Sequence, residues 1–389
     1  MAKYLFGDLV REVKEKVDRN NNPYEYYIAG DHMDTDELHL LRRGIFEGSD
    51  VGPAFIRIFK PGQVLYGSRR TYLRKVAVAD FEGITANTTF VLESKDESIL
   101  LQRLLPFIMQ SERFVQYSIK RSKGSTNPYV LFSDLADYEV ELPNIETQKE
   151  LAELLWAMDS VKMSYNKLIT ATDELVKSQF MEQFGMRDCI PEGWQKMNIG
   201  EACTLVNGRA FKPSDWTKTG TPIVRIQNLN DPNAEFNYCS GDIEDKFWID
   251  TGTLLFAWSG TPGTSFGAFI WAGGKAVLNQ HIFQVYPCAE ISKQFLKCSF
   301  EGHMDEIIER AHGGVGLRHI TKQELERIEL LVPPMAVQDD FVAFAQQSDK
   351  SKFAVQSCSN LNLSGQLATR ISPVIPLPQG GVHNGEISV

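Results

Sequence analysis

Lys60-Pro-Gly-Gln-Val-Leu-Tyr66 and Asp250-Thr-Gly-Thr-Leu-Leu-Phe256 stand 190 positions apart and share one pattern: a charged residue, a glycine two places on, then a run of apolar residues. The shift stays nearly constant elsewhere. Leu142-Pro143 falls on Val332-Pro333, Gln148 on Gln338 and Asp159 on Asp349. Ile84-Thr-Ala-Asn87 pairs with Val277-Leu-Asn279, and Phe6-Gly7-Asp8 with Ile199-Gly200-Glu201. Collinear matches at nearly one offset, from 190 to 193 positions, indicate an internal duplication. The period is far longer than the roughly 20 to 50 residues of solenoid repeats, so each copy is expected to be a domain with its own core.

Composition agrees with more than one core. A chain of 389 residues, 43% apolar and 11% aromatic, suits two or three ordinary domains. No run of eighteen apolar residues and no basic-then-apolar start is present, so a soluble cytoplasmic protein is expected. The six cysteines lack close C-x-x-C spacing and read as free thiols. The net charge of -10 argues against a simple basic nucleic-acid binder, which needs a local excess of Lys and Arg. Basic residues do gather, in Arg57, Lys60, Arg69, Arg70, Arg74 and Lys75, and again in Arg113, Lys120, Arg121 and Lys123. On charge alone these are equally well read as solvated faces.

Each copy opens with strand-like segments: Ala54 to Phe59, Val64 to Tyr66 and Thr88 to Leu92 in the first, Thr253 to Trp258 and His281 to Val285 in the second. Ser98 to Ser122 and Ile291 to Ala311 carry the three-and-four apolar spacing of helices. A polar or Gly-rich loop and a last strand ending at the prolines complete each copy. From Glu146 to Phe184 there is neither Pro nor Gly, which predicts one long helix. Its apolar residues fall in two heptad columns, Leu151, Met158, Tyr165 and Thr172 beside Leu154, Val161, Leu168 and Leu175. Such a seam calls for a second helix, and Met335 to Gln356 starts in the same way. The expected organisation is α+β: mixed α/β domains over 1–144 and 187–334, a long helix over 145–186 and a short one over 335–356, and a divergent tail over 357–389 whose Ser, Asn, Pro and Gly favour disorder.

Pro191-Glu-Gly-Trp194, Asn198-Ile-Gly-Glu-Ala-Cys203, Asn207-Gly-Arg-Ala-Phe-Lys-Pro213 and Pro222-Ile-Val-Arg-Ile-Gln-Asn-Leu229 follow one another in an order that resembles the opening of the target-recognition domain in the specificity subunits of Type I restriction-modification systems. Tyr27-Ile-Ala-Gly-Asp-His-Met33 is similar to a variant of the same strand. Leu142 to Lys149 and Val332 to Gln338 resemble the junctions where such domains pass into spacer helices. The likeness runs to about Gln356, beyond which the chain departs from the family pattern. The resemblance implies two recognition domains, each reading half of a split double-stranded DNA target, held apart by spacer helices that form an antiparallel coiled coil. About 38 residues of helix would span about 57 Å, more than one DNA turn of about 34 Å. The resemblance further implies that DNA methyltransferase (modification) subunits dock on the helices, that restriction subunits join for cleavage, that S-adenosylmethionine and ATP belong to those partners, and that this chain is not itself an enzyme.

Motifs that would make it one are weak. Thr126-Asn-Pro-Tyr129 is similar to the Asn-Pro-Pro-Tyr loop that holds a flipped adenine, but a proline is missing and no Gly-rich cofactor loop follows an early strand. Trp258-Ser-Gly-Thr-Pro-Gly263 and Gly273-Gly-Lys275 lack P-loop spacing. The seven histidines form no H-x-x-x-H pair, so no metal site is expected. Side chains able to hold phosphates or read base edges are Arg69, Arg70, Tyr72, Arg74, Lys123, Thr126 and Asn127 in the first domain. In the second they are Arg209, Lys212, Gln227, Asn228, Trp258, Ser259, Asn279, Arg318 and His319. The competing reading is a coiled-coil interaction scaffold without sequence-specific DNA binding.

Overall fold

Alternation along the short central strands sets the architecture. In Val64–Gly67, Val64 and Tyr66 point into one core and Leu65 into another. In Leu254–Ala257, Leu254 and Phe256 enter one core, Leu255 and Ala257 a second. A strand whose successive side chains point to opposite faces is buried on both sides only when it lies between two apolar layers. The computed structural model describes residues 2–18, 21–46, 51–185, 188–231, 234–261, 265–314 and 317–359. Most of the expected tail lies outside the described residues. Two compact units emerge, the division falling between Ser164 and Tyr165.

In the first unit, Ala2–Leu5 pairs antiparallel with Glu139–Leu142, so the domain is closed by its own first and last strands. One sheet runs in the order Val10–Glu12, Thr89–Ser94, Val64–Gly67, Val76–Val78. A second runs Gly44–Ile45, Tyr26–Ile28, Gly83–Ala86, Phe55–Phe59, its middle pair parallel. Ile28, Met33, Phe59, Leu65 and Val91 form one core of this unit. The helices Leu105–Gln110 and Glu112–Arg121 cover the first sheet's other face through Phe107 and Phe114, against Phe6 and Tyr66.

The second unit repeats the plan. Gln195–Asn198 pairs with Glu329–Val332, and Cys203–Asn207, Ile282–Pro287, Leu254–Ala257 and Gly267–Ile270 form the four-stranded sheet. Thr221–Val224 and Ala276–Leu278 make the parallel pair. The registers repeat too. Val64 faces Leu92 and Leu254 faces Val285, while Tyr27 faces Ile84 and Ile223 faces Val277. The duplication read from the sequence is thus a duplication of strand pairing.

The helical segments expected over Ser98 to Ser122 and Ile291 to Ala311 are present, each as two helices. Ser111 ends the first piece and caps the second, its Oγ accepting from the Phe114 amide at 3.4 Å. His303 marks the break between Lys293–Gly302 and Met304–Arg310, but its side chain does not cap the second piece; its Nδ1 lies 2.8 Å from Ser299 O of the first.

The long helix spans Ile145–Phe184. Asn144 starts it, accepting from the Thr147 amide at 2.9 Å, and Gly185 follows its last turn. In the first unit it buries Gln148, Ala152 and Leu155. In the second it buries Phe180 and Phe184 against Phe295 and Phe341. Phe180 can sit there because Gly302 has no side chain: a Cβ at that position would lie 2.3 Å from the ring. The second helix, Met335–Ser359, meets the end of the long one through Phe341 and, further on, through an ion pair between Lys352 and Asp173. Numbers rise on one helix as they fall on the other, so these contacts run antiparallel.

The two heptad columns fare differently. Leu151, Met158, Tyr165 and Thr172 are half-buried, but Leu154, Val161, Leu168 and Leu175 are 47% to 51% exposed. Leu154 lies one residue before Leu155, about 100° around the helix from the face that Ala152 and Leu155 bury.

Both helices are fastened by one device. Gln148 and Gln338 are buried, and each amide fills three backbone positions. Gln148 Nε2 donates to the carbonyls of Ile99 and Pro143, and its Oε1 accepts from the Leu101 amide. Gln338 Nε2 donates to Glu290 and Pro333, and its Oε1 accepts from the Ser292 amide at 2.8 Å.

Candidate nucleic-acid interface

In the first unit, the strand Val64–Gly67 runs out into a turn held against a second loop. The Val130 amide donates to Ser68 O at 2.9 Å, the Arg70 amide to Pro128 O at 2.6 Å, and Lys123 and Tyr129 exchange backbone bonds at 2.8 and 2.9 Å. Arg69 bridges Tyr129 as well. These bonds bring together Arg69, Arg70, Lys123, Thr126 and Asn127, with Tyr72 exposed on the turn Thr71–Leu73. Asn127 Oδ1 accepts from Arg70 Nε at 3.2 Å, and Lys123 Nζ pairs with Asp134 at 2.7 Å. Arg70 adopts a φ of 50°, a left-handed conformation that turns the chain sharply there.

Arg74 does not join this group as a free cation. Its guanidinium donates to Asp36 at 2.6 Å, Glu112 at 2.8 Å and Gln110 O at 3.0 Å. Burial works against its charge, but the bonds to Asp36 and Glu112 outweigh this and hold its pKa above the ordinary value. It ties the turn to the helices behind it.

The second unit builds the same platform from different side chains. The Ile320 amide donates to Trp258 O at 3.1 Å, as Val130 does to Ser68 190 positions earlier. Ser259 pairs with His319, Gly260 with Arg318, and His312 with His319, so three short strands replace the isolated bridges of the first copy. Trp258 stacks on Phe283, lies beside His281, and donates from Nε1 to Asn207 Oδ1 at 3.2 Å. Arg209 bridges Asn279, which in turn bonds Val224 O. Gly208 makes that approach possible, since a Cβ there would lie 2.1 Å from Asn279 O. Trp258, Ser259, Arg318 and His319 therefore converge, with Arg209 and Asn279 joined through the neighbouring strand. Arg318 also donates to Ile308 O at 3.2 Å.

Lys212 and Gln227 are exposed, and among the described residues no hydrogen bond ties either to that group. Asn228 is used up within the fold. It is buried, accepts from the Arg225 amide at 3.1 Å and donates to Ala234 O and Glu235 O, so it shapes the turn and has no group left to read a base.

Sequence reasoning passed over Tyr129, His312, His281 and Asn207. The 190-residue offset would have found Tyr129, because it falls on His319. His281 is held below the ordinary histidine range by partial burial and then by the charge of Arg225.

The chain thus holds two like-built α+β units, each presenting paired loops at the end of the same strand. Residues 10–172 and 191–359 match the model of the type I restriction modification DNA specificity domain, and the chain belongs to that family. It is 24% identical over 189 residues to the type I restriction enzyme HindI specificity subunit of Haemophilus influenzae, an alignment covering 46% of this chain and 40% of that protein. It is 24% identical over 160 residues to the type I restriction enzyme MjaVIII specificity subunit of Methanocaldococcus jannaschii, covering 38% and 37%. The match thus spans about two fifths of each relative's length. A solved chain from work on complex assembly and conformational transition of the type I R-M system shares the fold at a TM-score of 0.50 and 17% identity, over 95% of this chain and 96% of that one. Among the described residues no helix is long and apolar enough to cross a membrane.

Proposed function

We propose that this chain is the DNA-reading subunit of a type I restriction-modification complex and recognises a split target, one half with each unit. The observation that carries this is the duplicated platform. The same backbone bond, Val130 to Ser68 and Ile320 to Trp258, holds unlike side chains at the same place in each copy. Arg69, Arg70 and Asn127 offer guanidinium and amide groups suited to base edges and phosphates, while Ser259, Arg318 and His319 offer another set. The long helix and its antiparallel partner would act as the coiled-coil spacer that fixes the gap. The exposed column Leu154, Val161, Leu168 and Leu175 would take a modification subunit. The chemistry belongs to those partners, which bind S-adenosylmethionine and ATP.

The test is to co-express the chain with type I modification subunits in a host that lacks such a system and to map adenine methylation. A two-part motif with a fixed gap, lost when this gene is omitted, is expected. Partner binding without any motif would favour the scaffold reading, and methylation by the chain alone would overturn its non-catalytic role.

A further inference from the structure

On the first unit, three groups from separate parts of the chain converge. The donor atoms of Glu37, His39 and Asp159 lie within 4.8 Å of one another. His39 Nε2 and Asp159 Oδ2 are 2.6 Å apart, and Glu37 Oε1 accepts from the His39 amide at 3.0 Å, which aims its carboxylate toward the ring. The Asp159 side chain is only 11% exposed. Among the described residues neither carboxylate is paired with a Lys or Arg: the nearby Lys162 donates to Asp36 O, and Arg74 takes the Asp36 carboxylate. Asp159 thus bonds the imidazole, Glu37 lies within 4.8 Å of it, and among the described residues no Lys or Arg side chain pairs with either carboxylate. An uncompensated pair of this kind, half out of water, attracts a cation.

We propose that Glu37, His39 and Asp159 form a binding site for a divalent transition-metal ion of the zinc or cobalt type. One imidazole and two carboxylates suit such an ion, whereas magnesium and calcium favour oxygen alone. Metal–donor bonds of about 2.0–2.2 Å put donors about 3.0–3.5 Å apart. Closing the triad from its present spacing thus needs only side-chain rotation, with the ion replacing the His39–Asp159 hydrogen bond. Three protein ligands leave a coordination position for water. The ion would fasten the segment around His39 to the long helix at Asp159, 120 residues away. Spacing along the chain hides such a site, because Glu37 and His39 are no motif without Asp159.

The test uses the tag-free full chain titrated with cobalt(II) chloride and, separately, zinc(II) by calorimetry. One equivalent is expected to bind, with visible cobalt bands of nitrogen and oxygen ligation and a change in fluorescence from Trp156, whose ring centroid is 6.0 Å from that of His39. His39→Gln and Asp159→Asn are expected to weaken binding at least tenfold. Glu37→Gln, which can still accept from the His39 amide and leaves the His39–Asp159 contact in place, should do the same if either of the others misfolds. Glu150→Gln, exposed on the same helix, should change nothing. No uptake by the unaltered chain, equal uptake by the triad variants, or a thiolate-to-cobalt absorption band pointing to a cysteine would each overturn the proposal.

Discussion

Replacing Gln338 with Met keeps the volume of the side chain and removes its amide. Three backbone groups then lose their partner: the Ser292 N–H and the carbonyls of Glu290 and Pro333. All three bonds end on a side chain with no exposed surface, so water cannot readily replace the amide. A buried polar group left unpaired costs about 1–3 kcal/mol. Partial relaxation around three of them leads to an expected loss of about 3–5 kcal/mol, a large share of the roughly 5–15 kcal/mol that holds a typical domain. Gln148→Met should do the same to the first unit through Leu101, Ile99 and Pro143. Hydrogen exchange followed by mass spectrometry separates the two effects. Gln338→Met should speed exchange at Ser292 and the start of the helix Lys293–Gly302 while leaving Leu101 protected, and Gln148→Met should do the reverse. Urea unfolding supplies the magnitude. A loss below about 1 kcal/mol, or faster exchange at both places in either variant, would refute the view that one amide fastens each helix to its own domain.

Asn228→Ala should lower stability by about 1–3 kcal/mol through its lost turn bonds, while the folded, partner-bound protein keeps its target sequence; denaturation and methylation mapping read the two effects. Leu168→Asp changes an exposed position, so its effect on unfolding should stay within about 0.5 kcal/mol, yet it should abolish co-purification with modification subunits. Burial pushes the Cys203 and Cys298 thiols up to about 12, so in the native chain at pH 8 both should resist iodoacetamide while exposed Cys189 reacts at once, as peptide mapping would show.

The duplication and the long helix were legible because each rests on a signal that survives in one dimension. A nearly constant offset marked the repeat, and a stretch free of Pro and Gly marked the helix. The strand segments were legible for the same reason, since Val64 to Tyr66 and Leu254 to Phe256 are apolar runs bounded by turns. What the sequence leaves unread depends on the third dimension. Heptad spacing showed that Leu154, Val161, Leu168 and Leu175 share a face, but not that the chain buries the face of Ala152 and Leu155 instead. Residue type made Arg74 and Asn228 plausible DNA contacts. Their partners, Asp36 and Glu112 for one and Ala234 and Glu235 for the other, have no fixed spacing from them in sequence.

Shared features are backbone bonds and buried amides: the Val130–Ser68 and Ile320–Trp258 bonds, the closing strand pairs, and the glutamine clips. Where side chains face outward, likeness ends. Arg69 stands where Ser259 does, and Tyr129 where His319 does. Backbone bonding constrains geometry but leaves outward side chains free, so one platform can present different donors and acceptors without disturbing its core. Two identical platforms would read two copies of one sequence. Two platforms alike in backbone and unlike in chemistry are what a reader of two different half-sites requires, and under the proposed function exchanging the outward residues of one unit should alter only that half of the methylated motif.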